Sequence, residues 1–350
     1  MAEIIVEKEW TKEPAGRRIF GNFIESGFGR QVNGMWSEML YNRAFRDVPA
    51  IKIATWEWLG LDKEHYNSNA PFWHSGYEEN DWEVIGAPER EHTCGTHTYK
   101  GMTSLLLKNT DGSECGLLQK GLHLQKGKRY QFRIFAGVRG DMSEAGLNGF
   151  GDTIHSEKAE LLTVKIGTQE TSFALTTVPR LFTWEWEEAC GGNAQICLTF
   201  SFPGTLVLSF ASLMPADNLG GWRADVVEKL KEAAPSVVRF PGGCFVSFYN
   251  WESSIGDRDR REPQPSFYWG GLEENDVGLD EFLQLSQLVG FEPQLCFNMM
   301  TSEPFKARQM VEYLNAPENV GMGRLRMQNG HKEPYGVRLF EMDNEPGRKW

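Results

Sequence analysis

Hydrophobic and polar residues follow two different patterns along this 350-residue chain. Residues 17–24, RRIFGNFI, alternate as a strand that ends at Glu25, and the glycine-rich stretch ESGFGRQVNG follows as a loop. From about Thr55 to Ala211, short β-type runs such as AELLTVKIG are separated by Gly, Asn and Asp. Regular short strands with turn residues and almost no helical period predict a β-sandwich inserted after the first strand.

After residue 216 the pattern changes to helices that alternate with strands. The stretch WRADVVEKLKEAA has the helical period and precedes PSVVRFPGG as strand and loop. The same order recurs in VGLDEFLQLSQLVG with FEPQLCFNM, and in SEPFKARQMVEYLN with YGVRLFEMDNE. The glycine-rich stretch before that last strand is typical of an ordinary loop. Together with the strand at 17–24, the chain has four strands of βα type.

The predicted fold class is α/β, as the N-terminal half of a (β/α)8 (TIM) barrel with an inserted sandwich. The predicted segments are 1–54 (N-terminal segment and first barrel strand), 55–215 (inserted sandwich) and 216–350 (barrel strands two to four). Four strands do not close a barrel, and half a barrel would expose an apolar edge. We therefore expect either the N-terminal half of a longer protein or an open sheet whose edge something else covers.

Composition and charge exclude several classes of function. The chain is 40% hydrophobic and 24% charged, which is typical of a globular protein. Its net charge of −12 would repel phosphate backbones and anionic lipid, so we expect no nucleic-acid or membrane partner. The N-terminus lacks the basic and apolar regions of a signal peptide, which favours a cytoplasmic protein.

The six cysteines show no paired CxxC spacing. A chain of this length does not need disulfides to stabilise its core, so free thiols are expected. A disulfide between Cys190 and Cys197 is the minority alternative, and a zinc site is less favoured still.

The candidate chemistry lies at the ends of the predicted strands, where parallel α/β folds collect their reactive groups. Asn344 and Glu345 end the last strand, Glu25 ends the first, and Cys244 follows a Pro-Gly-Gly turn after the second. A partly buried carboxylate beside an amide suits a general acid for glycosidic cleavage. Taken alone, Asn-Glu after a strand equally fits a solvated acidic turn.

Four stretches together resemble glycoside hydrolase family 51, the α-L-arabinofuranosidases, in particular members with an inserted carbohydrate-binding-like sandwich. In chain order they are FGNFIESGFGRQVNGMWSEMLYNRAF, VVRFPGGCFVSFYNWESSIGDRDRREP, WGGLEENDVGLDEFLQL and ARQMVEYLNAPENVGMGRLRMQNGHKEPYGVRLFEMDNE. They cover nearly all of the chain outside residues 55–215. The resemblance implies a retaining (β/α)8-barrel hydrolase with its acid/base after the fourth strand, its nucleophilic Glu after the seventh, and a further sandwich.

The resemblance implies roles for five residues of this chain. Glu345 corresponds to the catalytic acid/base and Asn344 to the amide that bonds the sugar 2-hydroxyl. Glu25 corresponds to a sugar-binding acid, Cys244 to a pocket residue and Trp269 to an aromatic wall. The mechanism that the family implies needs neither a metal nor a cofactor.

The sequence departs from the family pattern in two ways. Asp343 stands where the family usually has Gly, and this second carboxylate would raise the pKa of Glu345 if the two lie close. Strands five to eight, the nucleophile and the C-terminal sandwich have no counterpart. Near the strand ends, Arg239 is expected to brace the carboxylates.

The leading hypothesis is an exo-acting α-L-arabinofuranosidase, or the N-terminal half of one, acting on arabinose-containing oligo- or polysaccharides such as arabinoxylan and arabinan fragments. A homo-oligomer is left open. One alternative is an endo-β-glucanase or xylanase of the same family, which needs a long open cleft. Another is a non-catalytic carbohydrate-binding protein. The aromatic stretches TWEWLG and PFWHSGYEENDW fit sugar binding or packing against the barrel, and we favour packing.

Overall fold

The structure is a computed structural model that describes residues 16–26, 31–47, 82–94, 98–139, 160–266 and 272–345. Its strands are β1 (Gly21–Phe23), β2 (Glu83–Ile85), β3 (Glu89–Thr93), β4 (Ser104–Asn109), β5 (Cys115–Leu124), β6 (Arg129–Arg139), β7 (Leu161–Ile166), β8 (Gln169–Ala174), β9 (Arg180–Glu187), β10 (Gly192–Phe200), β11 (Gly204–Pro215), β12 (Val237–Phe240), β13 (Gln264–Pro265), β14 (Leu272–Glu273), β15 (Glu292–Phe297) and β16 (Leu339–Met342). Its α-helices are α1 (Gln31–Met35), α2 (Ala224–Ala233), α3 (Leu279–Val289), α4 (Pro304–Asn315) and α5 (Gly321–Gln328). The fold is therefore mixed α/β.

Four strands form a parallel sheet in the order of the chain, β1-β12-β15-β16. One row of paired residues crosses the whole sheet, from Phe23 through Arg239 and Gln294 to Leu339. Helices α2 to α5 lie between these strands in sequence, as in repeated βα units. Because all four strands run the same way, their C-terminal ends lie at one edge of the sheet.

Helix α3 illustrates how the sequence builds this layer. Its buried residues include Leu279, Phe282 and Leu283, which follow the helical spacing and face the core beneath β12 and β15. The amide of Gly278 donates to the carboxylate of Glu281 at 2.8 Å, so the first turn is capped. The helix ends at Gly290, whose φ of 93° a residue with a side chain rarely adopts.

Part of the glycine-rich stretch before β16 forms helix α5, so the expectation of an ordinary loop was wrong for residues Gly321–Gln328. Helix α5 packs closely on the preceding turn, because a Cβ on Gly323 would lie 2.2 Å from the carbonyl oxygen of Pro317. Arg326 is fully buried and donates to carbonyl oxygens of both flanking segments, including Tyr313 (2.5 Å) before the helix and Lys332 (3.1 Å) after it. A buried cation that satisfies carbonyl groups stabilises the helix beyond its weak propensity.

Two five-stranded antiparallel sheets occupy the middle of the chain, with the strand orders β2-β5-β10-β7-β8 and β3-β4-β11-β6-β9. Inward residues of both sheets, such as Leu198 and Ile134, belong to one hydrophobic core. Two antiparallel sheets on a shared core have the arrangement of a sandwich. Residues 55–81 lie outside the described residues, so the domain limits at 54 and 215 stay predictions.

The chain passes into and out of these antiparallel sheets at neighbouring positions. Trp36 and Trp222 form an antiparallel bridge, and their rings meet edge to face with centroids 5.1 Å apart. The amide of Ser37 donates to the carbonyl of Gly221 at 2.7 Å. A side chain at Gly221 would overlap Trp36, since its Cβ would lie 2.0 Å from the indole, so only glycine fits this crossing.

All six cysteines are free thiols, so the disulfide between Cys190 and Cys197 that the sequence left open is not formed. Within the described ranges, every helix is too short or too polar to cross a lipid bilayer.

Candidate active site

Four of the predicted site residues follow the C-terminal ends of three strands of the parallel sheet. Glu25 follows β1, Cys244 lies in a 3-10 turn (Gly243–Phe248) after β12, and Asn344 and Glu345 follow β16. Glu25 is buried, Cys244 and Asn344 are half-buried, and Glu345 is exposed. Trp269 lies outside the described residues, so its predicted role as an aromatic wall stays a prediction.

Glu25 is fixed by the turn that follows β12. The amide of Phe245 donates to its Oε1 at 3.1 Å, and the backbone amide of Glu25 donates to Oε1 of Gln31 at 2.7 Å. Gly243 has φ of 57°, and a Cβ there would lie 1.9 Å from Oε2 of Glu25. The Pro-Gly-Gly turn is therefore needed to admit this carboxylate beneath the sheet edge.

Asn344 connects the ends of β12 and β16. Its Oδ1 accepts a hydrogen bond from Arg239 at 3.1 Å, and its Nδ2 lies 3.5 Å from Sγ of Cys244. Arg239 also pairs with Glu341 at 2.8 Å, and Gln294 donates to the other oxygen of Glu341 at 3.1 Å. Arg239 thus contacts both a carboxylate and the site amide, and this fixes the orientation of the Asn344 side chain.

Asp343 is buried, and its carboxylate accepts hydrogen bonds that hold neighbouring segments in place. Its Oδ1 accepts from the hydroxyl of Ser247 (2.5 Å) and the amide of Asn344 (2.7 Å), and its Oδ2 accepts from the amide of Met299 (2.9 Å). These bonds tie the end of β16 to the end of β15 and to the turn after β12. The like-charge effect of Asp343 on Glu345 stays a prediction.

Sequence reasoning missed Ser247 and the thiol beneath Asp343. Ser247 is fully buried, and its only signal in the sequence is a polar residue within the apolar run CFVSF. Burial, with a further contribution from the Glu341 carboxylate, raises the pKa of the Cys296 thiol to about 12, and this thiol donates to the carbonyl of Asp343 at 3.2 Å. Cys296 is therefore a neutral donor and not a nucleophile.

Apolar side chains are exposed at the same sheet edge. Phe23, Phe248 and Met299 are each about two-fifths exposed, and they follow or end three different strands. The guanidinium of Arg239 lies over the Phe23 ring, 5.1 Å from its centroid. Flat apolar faces beside hydrogen-bonding groups suit the two sides of a sugar ring.

A separate cleft of about 890 Å³ lies on the sheet β2-β5-β10-β7-β8. Polar side chains including Thr163, Lys165 and Thr199 line it, together with Phe202. None of the residues at the ends of the parallel strands lines this cleft, so it is distinct from the candidate active site.

Comparison with known proteins finds relatives for the C-terminal part of the chain. Residues 229–349 match the family model of the α-L-arabinofuranosidase 1 domain. Over 136 residues the chain is 40% identical to α-L-arabinofuranosidase C of Emericella nidulans, which is 39% of this chain and 27% of that protein. The match to the α-L-arabinofuranosidase domain thus covers about a third of the chain. The matched segment contains Cys244, Asn344 and Glu345, whereas Glu25 precedes it.

Two further comparisons extend this result. An intracellular exo-α-(1→5)-L-arabinofuranosidase of Streptomyces lividans is 35% identical over 138 residues, which is 39% of this chain and 21% of that protein. A solved arabinose-bound family 51 α-L-arabinofuranosidase matches 95% of this chain and 55% of its own, with a TM-score of 0.71 at 20% identity, which shows the fold alone. The chain thus spans about a quarter of the length of the curated relatives that it matches.

We expect Gly243→Ala to destabilise the protein by about 1–3 kcal/mol, because alanine would be strained at this φ and its methyl group would displace the Glu25 carboxylate. Thermal or urea unfolding measures this. Gly127→Ala is a matched control, since Gly127 also has positive φ (75°) but a methyl group there would meet no other atom within 4 Å. An equal loss of stability in both variants would mean that the contact with Glu25 adds nothing to the effect of Gly243→Ala.

Proposed function

We propose that this protein is a retaining glycoside hydrolase that removes terminal α-L-arabinofuranosyl residues from arabinoxylan- or arabinan-type oligosaccharides. The observation that carries the proposal is the contact between the ends of β12 and β16, where the amide of Asn344 lies 3.5 Å from Cys244 and directly precedes Glu345. The names of the Emericella and Streptomyces relatives support arabinofuranoside as the substrate class.

The residues at the strand ends divide the chemistry as follows. The amide of Asn344, oriented by Arg239, bonds the sugar 2-hydroxyl, and Glu25 bonds a second hydroxyl from its buried position. Glu345 is exposed and so reaches the glycosidic oxygen, which it protonates as the bond breaks. In the second step the same carboxylate removes a proton from water, which attacks the glycosyl-enzyme intermediate.

A retaining mechanism also needs a nucleophilic carboxylate about 5–5.5 Å from the acid/base. Glu341 is engaged by Arg239 and Gln294, and Asp343 by Ser247 and Met299, so both have structural partners. We propose that the nucleophile belongs to the part of the family fold that has no counterpart in this chain. The matched solved structure is covered over only 55% of its length.

In the same way, we propose that the parallel sheet is one half of a (β/α)8 barrel. The four strands are parallel and in chain order, as in the first half of such a barrel. Apolar side chains are exposed at both outer strands of the sheet. Phe20, next to β1, is 69% exposed, and Met342, on β16, is 74% exposed. Further strands on either side would cover them.

Location and partners are part of the proposal. We propose a cytoplasmic enzyme that acts on arabinose-containing oligosaccharides and binds neither nucleic acid nor membranes. The net charge of −12 and the intracellular Streptomyces relative support this.

The test is hydrolysis by the full-length protein of p-nitrophenyl α-L-arabinofuranoside, with the anomer of the first product read by NMR. We expect arabinose of retained configuration and little action on aryl β-glucosides or β-xylosides. Cleavage of polymeric glucan or xylan without release of arabinose would instead favour the endo-acting alternative. Binding of arabinose without turnover would favour a non-catalytic carbohydrate-binding protein.

A further inference from the structure

Residues 257–262, here called the anchor loop, are held by the antiparallel sheets. They follow the turns after Cys244 in sequence. The contacts are Tyr99 Oη to Asp257 Oδ2 (2.8 Å), Thr103 N to Glu262 Oε1 (3.1 Å), Arg258 Nη2 to Ser212 Oγ (3.1 Å), and ion pairs of Lys100 with Asp257 and of Arg133 with Asp259. The partners come from the segment before β4, from β6 and from β11. Several parts of the sandwich thus bind one short loop.

A cluster of charged side chains, most of them buried, reinforces this attachment. Its members are Glu38, Arg43, Arg133, Arg258, Asp259 and Asp276, which carry three positive and three negative charges. Arg43 is 3% exposed and pairs with Asp259 at 3.1 Å and Asp276 at 2.7 Å. A buried charge without a partner is costly, so each member restricts the positions of the others. The anchor loop therefore has little freedom to shift.

The path from the anchor loop back to Cys244 is short and well connected. It consists of the 3-10 turns Gly243–Phe248 and Trp251–Ser254, joined by a hydrogen bond between the hydroxyls of Tyr249 and Ser254. Ser254 is fully buried, and a Cβ on Gly278 would lie 1.8 Å from its carbonyl oxygen. Packed segments of this kind transmit a displacement instead of absorbing it.

We propose that the sandwich positions the Cys244 segment of the active site through Arg133 and the anchor loop. Arg133 is a positioning residue, since it bonds Asp259 and reaches the sugar only through the intervening turns. The assignment of Cys244 to a sugar pocket rests on the proposed function, whereas the attachment of the loop does not. By this route the antiparallel sheets would influence substrate binding through the anchor loop.

The first test is hydrogen exchange of the full chain, comparing Arg133→Met with Arg129→Met. Arg129 lies four residues earlier on the same strand and pairs with Glu185 at 3.3 Å within the sandwich, so it is a matched control. We expect peptides from residues 243–262 to exchange about tenfold or more faster in Arg133→Met, as for loss of a charge-assisted contact. The strands β4 to β11 should be unchanged, and Arg129→Met should behave like the wild type.

Two further variants, Arg133→Lys and Tyr99→Phe, distinguish loss of the loop attachment from general destabilisation of the fold. Lysine should restore part of the protection at 243–262, and Tyr99→Phe, which removes a single bond to Asp257, should loosen the same peptides. Faster exchange throughout the chain, or only within the sandwich, would show that Arg133 merely stabilises the fold and would overturn the proposal. If Arg133→Met does not fold, the result with Tyr99→Phe decides.

The second test measures the affinity of the full-length protein for L-arabinose by calorimetry. We expect binding by Arg133→Met to be about 2- to 30-fold weaker and that by Arg129→Met to be unchanged. Unchanged affinity in a loosened variant would overturn the link to the site. If the wild type binds no arabinose, the proposed function fails, and the exchange experiment still decides whether the sandwich positions the loop.

Discussion

On the proposed function, Glu345→Ala should lower the hydrolysis of natural arabinosides by the full-length protein by about 10²–10⁴-fold, the usual contribution of one general acid. A natural leaving group is a poor one and must be protonated as it departs. With a nitrophenyl arabinoside, protonation matters little, so the first step should survive while the second slows. The glycosyl-enzyme intermediate should then accumulate and give a burst of nitrophenolate.

Azide distinguishes the acid/base from other roles. It attacks the intermediate without a general base, so it should restore turnover of the nitrophenyl substrate and give a glycosyl azide of retained configuration. Glu345→Gln is the control, since it keeps the size of the side chain and should behave in the same way. If azide rescued neither variant and both substrates lost activity equally, Glu345 would be a nucleophilic or structural carboxylate.

Arg43→Met should destabilise the protein by about 3–5 kcal/mol, because it removes the nearer of the two cations that the buried carboxylates Asp259 and Asp276 share, and only Arg258 then contacts both. Urea denaturation followed by tryptophan fluorescence measures the change. Arg18→Met is the control. Arg18 pairs with Glu292 at 2.9 Å on the surface, where water screens the pair, and its loss should leave the free energy of unfolding almost unchanged.

The effect of Arg43→Met should depend on pH. Burial alone would raise the pKa of Asp276, but Arg43 and Arg258 hold it below its ordinary value of 3.8. A lowered pKa in the folded state contributes stability above that ordinary value, and the contribution is lost as the pH falls through the folded pKa. The difference between wild type and variant should therefore narrow below about pH 4. A constant difference from pH 7 to pH 3 would contradict this explanation.

The strands of the parallel sheet could be predicted because local signals mark their ends. PSVVRFPGG contains β12, and its Pro-Gly-Gly turn sets the end of the strand at Phe240. The first strand is shorter than predicted, since residues Arg17–Ile19 form a 3-10 turn and only Gly21–Phe23 pair with β12. Helix α5 was missed because its stability depends on Arg326, whose carbonyl partners come from other segments.

The candidate site, too, could be predicted from the sequence only in part. Placing Glu25, Cys244 and Asn344 at one edge needs only the rule that parallel strands end together. The surroundings of Asp343 depend on Ser247, nearly a hundred residues earlier, and no local pattern links the two. The sequence therefore indicated a second acid beside Glu345, while the structure gives that acid hydrogen-bond donors from two other strand ends.

The adjacent crossings at Trp36 and Trp222 have a consequence for the order of folding. Gly21 pairs with Val237 although the entire sandwich separates them in the chain. Closing an unstructured loop of roughly 200 residues costs about 5 kcal/mol, but a folded sandwich with neighbouring ends replaces most of that loop. We therefore expect amides of β5, β6 and β10 to gain protection before those of β12 in pulsed hydrogen exchange during refolding, and simultaneous protection would contradict this order. The chain would then assemble its central part first, and the first parallel pair could form only after the two tryptophans had met.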